Sequence, residues 1–370
     1  MKLLQIIQKP QFRGAEIFAC QLSEELVKLG HQVDVLFLTG SKEESLPFEL
    51  PFKYLQANLR NRFWDFAAYK RLNEIIKEGN YDLVQANAAD TLKYAALSKV
   101  MFGWNSKLVY RNANKMGDFL TTLPKKVLNK FFVNQTDLIA SVSGLCQQDF
   151  KLQFPKYSNG VINLPIGIKC DLEKGYQEWS QANLDLNSKE VWLHVGSFVT
   201  EKNHIGLLSI FSKYLTVNPH AVLLLIGEGK LKQNIVDHIA KENLQENVKV
   251  LGKRLDVLNL MPLCTGLLMP SHIEGLPGVI LEALWSKIPV VAYNVGGISE
   301  VVKNKETGFL IPHDDEQTFV NAMQYIKENS TVELRNNAYS LVNSEYNNAI
   351  IAKKFEAEYA KIIPLKNNRN

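Results

Sequence analysis

The sequence predicts an α/β fold built from two Rossmann-like, doubly wound parallel-sheet domains that face a central cleft. Short apolar runs of strand length alternate with helical patterns along most of the 370 residues, which is typical of parallel sheets covered by helices. The alternation is interrupted at residues 168–190, where a polar stretch without a strand pattern marks a domain boundary. Because the strands of such sheets end at one edge, we expect ligands to bind there.

Eleven apolar runs predict the strands of the two sheets. In the first half, a helix covers residues 15–29, and Gly30 follows it where a C-capping glycine belongs. After about residue 330 only helical patterns remain, at residues 331–346 and 346–363. The predicted strands are residues 3–7, 32–38, 82–87, 107–112 and 137–142 in the first half, and residues 191–196, 221–227, 248–252, 266–270, 289–293 and 308–311 in the second.

Positive charge is concentrated in the first half of the chain. Residues 1–170 hold 22 Lys and Arg against 15 Asp and Glu, whereas the remainder holds 20 against 23. The basic half predicts an anionic partner, which can be phosphorylated, lipid-borne or a nucleic acid. No motif that reads DNA or RNA is present, so we expect no nucleic-acid partner.

Two stretches of the first half mix basic and aromatic side chains. The mixture is typical of a helix lying on an anionic membrane, but it also fits a solvated helix face whose rings enter the core. The cysteines lack metal-ligand spacing, and no signal peptide or membrane-spanning segment is present. We therefore expect a cytoplasmic protein. If the mixed stretches lie on a membrane, the protein is expected to be peripheral on the inner face of the plasma membrane. The stretches are residues 52–77, with Phe63, Trp64 and Phe66, and residues 125–132, with Lys125, Lys126, Lys130, Phe131 and Phe132.

The most informative stretch is residues 269–285. A predicted strand ends near Pro270, a loop carries Glu274, and Pro277 suits the first turn of a helix. Glu282 lies one turn into that helix. Unpaired backbone N–H groups and the positive end of the helix dipole make a helix N-terminus an anion site. Carboxylates beside an anion site match a nucleotide sugar, which needs acceptors for its hydroxyls and donors for its diphosphate.

This stretch resembles the signature of glycosyltransferase family four, whose members have the GT-B architecture. Glu274-x7-Glu282 lies inside Pro-Ser-x-x-Glu-Gly-Leu-Pro, a long and ordered motif. The resemblance is strong over about residues 190–312 and looser in the first half. Further stretches similar to the family's loops are residues 194–203, 225–229, 250–257, 289–300 and 308–311, and in the first half residues 14–16, 30–33, 137–143 and 165–167.

The resemblance implies a retaining glycosyltransferase of the hexosyltransferase type. Its donor would be a nucleotide-diphosphate sugar, with UDP or GDP as the nucleotide, and its acceptor a saccharide or lipid-linked saccharide in surface glycan biosynthesis. No metal and no cofactor is expected. GT-B proteins return their last helix to the first domain, so the acceptor-binding domain would comprise residues 1–168 with about 347–370. Residues 169–346 would form the nucleotide-sugar-binding domain.

The resemblance also assigns roles to single residues. Glu274 would contact hydroxyls of the donor sugar, Glu282 would hold those of the ribose, and Lys202 would neutralise the diphosphate. Gly14, on the first strand–helix loop, would approach the phosphates from the other domain. The remaining donor-side residues lie on loops around the diphosphate and the base: Gly196, Ser197, Gly227, Gly229, Lys253, Gly275, Leu276, Pro277 and Gly278.

Two departures from the family pattern concern polar groups of the site. Ser197 stands where the family usually has a diphosphate-binding Arg, so Lys202, Arg254 or Arg111 would supply the positive charge. The predicted strands ending at residues 87 and 112 lack the His residues frequent there. We therefore place the acceptor side at residues that suit a phosphorylated or pyrophosphate-linked acceptor: Arg13, Asn87, Arg111, Asn112 and Lys115.

Alternatives to the transferase remain open at the level of sequence. A nucleotide-sugar epimerase or a sugar phosphorylase has the same fold, and an epimerase would interconvert sugars without an acceptor. A non-catalytic glycan- or nucleotide-binding relative would bind UDP without transfer, and Ser197 favours it. The Glu274–Glu282 spacing together with Lys202 favours a transferase. His272 is interpreted as a polar filler of its loop rather than as an acid or base.

Overall fold

A computed structural model describes residues 1–11, 13–44, 46–157, 159–169, 190–254 and 256–363. The chain divides into two compact units, Met1–Lys169 with Tyr346–Asn370, and Cys170–Glu345. Residues 170–189, which make up most of the stretch interpreted as the domain boundary, lie outside the described residues, and so does the predicted end of the last helix beyond residue 363.

The first unit contains a seven-stranded sheet in which all pairings are parallel. Its strands are β1 (Lys2–Ile7), β2 (Gln32–Phe37), β3 (Phe52–Tyr54), β4 (Leu83–Ala86), β5 (Lys107–Asn112), β6 (Leu138–Ser141) and β7 (Gly160–Asn163). They lie in the order β3-β2-β1-β4-β5-β6-β7. The order reverses between β1 and β4, so the loop after β1 lies where such sheets bind ligands.

All five strands predicted in the first half are confirmed, and two further strands, β3 and β7, were not predicted. Both are edge strands of three or four residues. An edge strand buries less of its surface than a central one, and neither β3 nor β7 contains a fully buried residue. Their sequences therefore lack the continuous apolar run by which the central strands were identified.

Five helices of the first unit follow its strands. The last four of them meet the sheet in a core that includes Tyr69, Leu72, Tyr94 and Phe132. Ala19 and Cys20 of the first helix belong to a separate core cluster. The helices are α1 (Gly14–Lys28), α2 (Phe66–Gly79), α3 (Ala89–Phe102), α4 (Leu123–Val133) and α5 (Gly144–Gln153).

The second unit contains a six-stranded parallel sheet with strand order β10-β9-β8-β11-β12-β13. All six strands predicted from the second half are confirmed. The strands are β8 (Val191–Val195), β9 (Val222–Ile226), β10 (Val248–Gly252), β11 (Gly266–Met269), β12 (Val290–Tyr293) and β13 (Phe309–Ile311). The helices are α6 (His204–Leu215), α7 (Lys232–Lys241), α8 (Val257–Leu260), α9 (Gly278–Trp285), α10 (Ile298–Val301), α11 (Glu316–Glu328) and α12 (Val332–Glu345).

The last helix, α13 (Asn348–Ile362), packs in the first unit against α1. The ring centroids of Phe18 and Phe355 lie 6.1 Å apart. The Tyr359 hydroxyl donates to Oε1 of Gln85, on the central strand β4, at 2.5 Å. The chain thus completes the core of its first unit with residues that follow the whole second unit in sequence.

Candidate active site

An ion pair joins two loops at the carboxyl edge of the second sheet. Lys202 Nζ lies 2.5 Å from Glu274 Oε1. Lys202 ends a 3-10 turn, Thr200–Lys202, after β8, and Glu274 lies between β11 and α9. The strands β8 and β11 are neighbours, which explains why side chains 72 positions apart in sequence meet. The Glu274 side chain is only 7% exposed, so its charge depends on this partner.

Backbone and amide hydrogen bonds fix the two loops to each other. Asn203 Nδ2 donates to the Pro270 carbonyl at 3.0 Å, and its Oδ1 accepts from Gly206 N–H at 3.1 Å to cap α6. The His272 N–H donates to the Glu201 carbonyl at 2.8 Å. Asn203 adopts φ +52°, a left-handed conformation that Asn tolerates better than most residues. The neighbours of both charged residues are therefore held before any ligand binds.

Gly296 supports the Glu274 loop from the loop after β12. It has φ +55°, and a Cβ at this position would overlap the Glu274 carbonyl oxygen. The next residue, Gly297, donates its N–H to the Gly275 carbonyl at 2.5 Å. Neither glycine was among the predicted site residues, although both lie in the family-like stretch 289–300. Their roles are visible only once β12 is placed beside β11.

Three predicted donor-side glycines come together where the loops after β8 and β9 cross. Gly227 has φ +151°, and a Cβ there would overlap the Gly196 carbonyl oxygen. A Cβ at Gly229 would overlap the carbonyl oxygen of Phe198. The Phe198 N–H donates to the Glu228 carbonyl at 3.0 Å. These glycines allow close backbone approach, which explains their residue type without a bound nucleotide.

The predicted anion site lies at the start of α9. The helix begins at Gly278, with Pro277 as an N-cap that offers no side-chain acceptor, so Pro277 lies just before the helix and not in its first turn. The first N–H groups of α9 therefore lack a capping side chain and are suited to an anion. Gly275, Leu276 and Pro277 are buried, and they lead into the helix directly from Glu274.

Glu282 lies one turn into α9 and is half-buried. Among the residues that the structure describes, its carboxylate has no hydrogen-bond or ion-pair partner. Burial raises the pKa of Glu282 to about 7, because the charged form loses water without gaining a donor. A carboxylate that has a raised pKa and no partner is a feature of functional sites. Hydroxyl donors from a ligand would stabilise its charged form.

The other polar donor-side residues supply less charge than the family pattern requires. Ser197 is half-buried at the end of β8, and the described residues give its hydroxyl no partner. Arg254 pairs with Asp256, at 2.6 Å between Nη2 and Oδ2, so its charge is already engaged. Lys253 is exposed after β10.

Two buried histidines beside Lys202 were not predicted as part of the site. The rings of His194 and His204 have centroids 4.8 Å apart, and His194 Nδ1 donates to the Leu268 carbonyl at 2.8 Å. Burial lowers the pKa of His194 to about 4 and that of His204 to about 2. Both rings are therefore neutral near pH 7 and add no positive charge near Lys202. A histidine inside the apolar strand Val191–Val195 was the available signal.

His272 contacts the ring of a second histidine. Its Nδ1 lies 3.0 Å from Nε2 of His313, which follows β13. The contact ties the loop of Glu274 to the segment that leads into α11.

In the first unit, Arg13 and Gly14 are exposed at the start of α1. Arg13 is the N-cap, its side chain makes no capping hydrogen bond, and the space around Gly14 is open. The N-terminal N–H groups of α1 therefore lack a capping side chain, as those of α9 do. This placement is compatible with the phosphate contact expected of Gly14.

Three residues predicted for the acceptor side are buried instead of exposed. Asn87 Nδ2 donates to Gln5 Oε1 at 2.9 Å, and Asn112 Nδ2 lies 3.5 Å from Ser141 Oγ. Arg111 is 2% exposed, with its guanidinium 4.5 Å above the Phe18 ring, and burial lowers its pKa to about 10. Strand-end polar groups inside a core need internal partners, and the two amides have them. Arg111 donates from Nη1 to the Ala15 carbonyl at 3.4 Å, while its Nε has no partner among the described residues.

Arg13 and Lys115 are the acceptor-side residues whose side chains reach solvent, and Lys115 lies 3.9 Å from Asp118. Of the residues expected to form a basic cluster on the acceptor side, only Arg13 and Lys115 are therefore accessible to a ligand. Contact between an acceptor and the three buried side chains would require that they leave their present partners. Arg111 belongs to the core of the first unit, so it is not a surface substitute for the Arg missing at Ser197.

Two Rossmann-like parallel-sheet units in one chain are the architecture of the GT-B glycosyltransferases. Residues 176–340 match the family model "Glycosyl transferases group 1", and residues 12–159 match "Glycosyltransferase Family 4". The chain belongs to this glycosyltransferase family.

Two curated relatives come from Bacillus anthracis and Escherichia coli. The N-acetyl-alpha-D-glucosaminyl L-malate synthase of Bacillus anthracis is 24% identical over 380 residues, which cover 96% of this chain and 95% of the relative. The UDP-Gal:alpha-D-GlcNAc-diphosphoundecaprenol alpha-1,3-galactosyltransferase of Escherichia coli is 29% identical over 183 residues, 46% of each chain.

Solved structures of the same fold cover nearly the whole chain. Anabaena HepE, in complex with UDP and glucose, superposes with a TM-score of 0.84 at 20% identity, over 97% of this chain and 99% of that one. Sucrose-phosphate synthase from Thermosynechococcus elongatus gives 0.83 at 18% identity, over 98% and 99%. Among the described residues, no helix has both the length and the apolarity to span a bilayer.

Proposed function

We propose that the chain transfers a sugar, with retention of configuration, from a UDP- or GDP-sugar to a saccharide or lipid-linked saccharide acceptor in surface glycan biosynthesis. The observation that carries the proposal is the Lys202–Glu274 pair, which lies on the same sheet edge as the uncapped start of α9. Cationic, carboxylate and backbone donor groups on one edge match the diphosphate and the hydroxyls of a nucleotide sugar. HepE, of the same fold, is described in complex with UDP and with UDP-glucose.

Lys202 is the proposed diphosphate cation. In the absence of donor its ammonium neutralises Glu274, which is nearly buried. A diphosphate carries more negative charge than a carboxylate, so it would draw the ammonium toward the leaving group and free Glu274 for the hydroxyls of the sugar. As the sugar–phosphate bond breaks, charge grows on the diphosphate, and a positioned cation stabilises that charge. We expect the leaving phosphate to take the proton of the acceptor, and no metal to be needed.

Glu282 is the proposed ribose ligand. Its carboxylate has no partner among the described residues, and ribose hydroxyls would supply the hydrogen-bond donors that burial denies it. This division assigns the sugar to Glu274 and the nucleoside to Glu282, eight positions apart on one loop and helix. The basic residues of the first unit would attract an anionic acceptor.

A lipid-linked acceptor is the favoured class. The Escherichia coli relative is named for a diphosphoundecaprenol-linked acceptor, and so is a Campylobacter jejuni relative that is 27% identical over 244 residues, 64% of each chain. A polyprenyl diphosphate is anionic, which agrees with the excess of basic residues in the first half. The enzyme would accordingly act as a peripheral protein at a membrane surface.

Calorimetric titration with UDP, GDP, ADP and CMP in EDTA tests the donor site. We expect one nucleoside diphosphate to bind, and the Glu282→Ala variant to bind it at least tenfold more weakly. Glu333→Ala, an exposed carboxylate on α12, is the matched control and should bind as the wild type does. Absence of binding, or restoration of binding by Mg²⁺, would overturn the metal-independent site. Sugar interconversion without an acceptor would indicate an epimerase instead.

A further inference from the structure

An exposed apolar row runs along α4 in the first unit. Leu123, Val127 and Phe131 lie four positions apart and therefore share one helix face. Their exposures are 78%, 69% and 41%. A solvated helix normally turns polar residues outward, so a continuous apolar outward row indicates a surface that meets another apolar medium.

Lysines flank this row without a carboxylate among them. Lys125, Lys126 and Lys130 are exposed on α4, and the helix Leu123–Val133 contains no acidic residue. Lys126 and Lys130 are four positions apart and line one side of the apolar row. Within the described residues, none of the three lysines lies within 4.0 Å of a carboxylate. Their long stems can reach past an apolar surface to anionic groups above it.

Aromatic residues before α2 extend the same surface. The Phe63 ring stacks on Phe132 with centroids 6.4 Å apart, and Phe132 contacts Phe131 at 5.4 Å. Trp64 follows at 75% exposure, 6.2 Å from the half-exposed Phe66. Phe132 is buried in the core, whereas the other four rings are at least 41% exposed. The alternative of a solvated helix face with its aromatics in the core therefore holds for Phe132 alone. Exposed Trp and Phe beside Lys are typical of the membrane–water interface.

We propose that this surface, formed by Leu123, Val127 and Phe131 of α4 with Phe63 and Trp64, docks the enzyme on an anionic lipid bilayer. The lysines would contact lipid phosphates while the apolar residues enter the headgroup–acyl boundary. The inference deepens the proposed function by naming its membrane partner and the surface that binds it. The inference rests on the proposed function in one respect: docking would give the enzyme access to a lipid-linked acceptor.

Charge favours a bilayer over a second copy of the chain. In a two-fold interface the same surface meets itself, so Lys126 and Lys130 would approach the lysines of the other copy. Like charges brought together oppose association. An anionic bilayer offers complementary charge to all three lysines, and it has no fixed shape that the protruding Trp64 would have to match.

Sedimentation with vesicles tests the proposal on the full chain without nucleotide. We expect binding to vesicles of 30% phosphatidylglycerol in phosphatidylcholine at low salt, little binding to pure phosphatidylcholine, and loss of binding in 0.5 M NaCl. The Lys126→Gln/Lys130→Gln variant should bind about 30-fold more weakly. Val127→Asn should weaken binding about tenfold or more. All three positions are exposed, so thermal melts should show little change in folding.

The matched control is Lys353→Gln/Lys354→Gln, two exposed lysines on α13, which packs against α1 whereas α4 packs against α3. It removes the same charge and should bind vesicles as the wild type does. The proposal is overturned if the wild type does not bind anionic vesicles, if it binds neutral vesicles equally, or if both lysine pairs have the same effect. A dimer that Val127→Asn dissociates, without vesicle binding, would identify a second copy as the occupant. Nucleotide calorimetry on the same variants tests the donor site separately.

Discussion

The buried Glu274 carboxylate depends on Lys202 for a hydrogen-bond donor and a positive charge. The Glu274 carboxylate is almost buried, and its one side-chain partner among the described residues is the Lys202 ammonium at 2.5 Å. Removing either partner leaves a charge in a poorly solvated place, which is costlier than removing an exposed pair. The pair therefore holds both side chains at the sheet edge until a donor diphosphate draws the ammonium away from the carboxylate.

The first prediction separates the two carboxylates by kinetics. Glu274→Ala should lower kcat by about 100-fold while donor affinity changes only a few-fold, because its contacts to the sugar matter most as the bond breaks. Glu282→Ala should instead weaken nucleotide binding and change kcat little. The measurements are steady-state rates and UDP or GDP calorimetry. Equal losses of kcat and affinity in both variants would contradict the assignment of sugar to one and ribose to the other.

The second prediction follows from the raised pKa of Glu282, about 7 in the folded protein. An ionised carboxylate accepts hydroxyl hydrogen bonds more strongly than a protonated one. Nucleotide affinity should therefore rise from pH 6 to pH 8, and binding near pH 7 should release protons. Calorimetry in buffers of different ionisation enthalpy measures that release. The Glu282→Gln variant should bind weakly with a flat pH profile, and a wild-type profile equally flat would refute the role of this carboxylate.

The third consequence of the Glu282 pKa is that folding stability should fall with rising pH, whereas nucleotide affinity should rise. Because the folded pKa of Glu282 exceeds the unfolded value of about 4.5, the folded state holds a proton that the unfolded state loses, and stability falls as pH rises from about 4.5 to 7. Glu282→Gln should therefore stabilise the protein by about 1–2 kcal/mol at pH 8 and have little effect at pH 5. Thermal melts at both pH values measure this, with Glu333→Gln as the exposed control.

Contacts between the loops that follow neighbouring strands hold the site together. The Lys202 loop is tied to Pro270 by Asn203, and the Glu274 loop rests on Gly296 and Gly297. Each loop follows a strand, and its neighbour in space follows an adjacent strand. The parallel sheet therefore brings its loops to one edge, and glycines allow the backbones to meet there.

The third prediction concerns Gly296. Gly296→Ala should displace the Glu274 loop, because its Cβ would overlap the Glu274 carbonyl oxygen, and kcat should fall at least tenfold. Gly103→Ala is the matched control, since Gly103 also has a positive φ, +64°, but has no heavy atom near its Cβ position. Backbone strain should cost Gly103→Ala about 1 kcal/mol of stability, and Gly296→Ala should lose more because its Cβ also overlaps a backbone oxygen. Comparable activity in the two would show that the contact with Glu274 is unimportant.

At the scale of the whole molecule, the C-terminal helix completes the first unit. Phe355 is fully buried on α13, beside Phe18 of α1 and Tyr359. Because the contact between Phe18 and Phe355 joins residues more than 300 positions apart, the first unit is complete only when α13 has been synthesised. Contacts of such separation slow folding relative to local ones.

The fourth prediction tests that dependence. Phe355→Ala should destabilise the protein by about 3–5 kcal/mol, because it removes a buried ring and leaves a cavity between α13 and α1. Lys354→Ala, at the exposed neighbouring position, should change stability by less than about 0.5 kcal/mol. Denaturant unfolding of both variants measures the difference. A small effect of Phe355→Ala would show that α13 contributes little to the first unit.

The order of residues predicts the fold class, eleven of the thirteen strands in the two sheets, and the motif from Glu274 to Glu282. Buried parallel strands read as continuous apolar runs, and the motif is local, so both are written in consecutive residues. Only the tertiary structure revealed that Lys202 pairs with Glu274, that Gly296 supports the Glu274 loop, and that Asn87, Arg111 and Asn112 are buried. Those facts depend on which strands are neighbours and which way each side chain faces. A short edge strand such as β3, or a buried amide, carries no local pattern that specifies its partner, because burial and pairing are properties of the packed sheet.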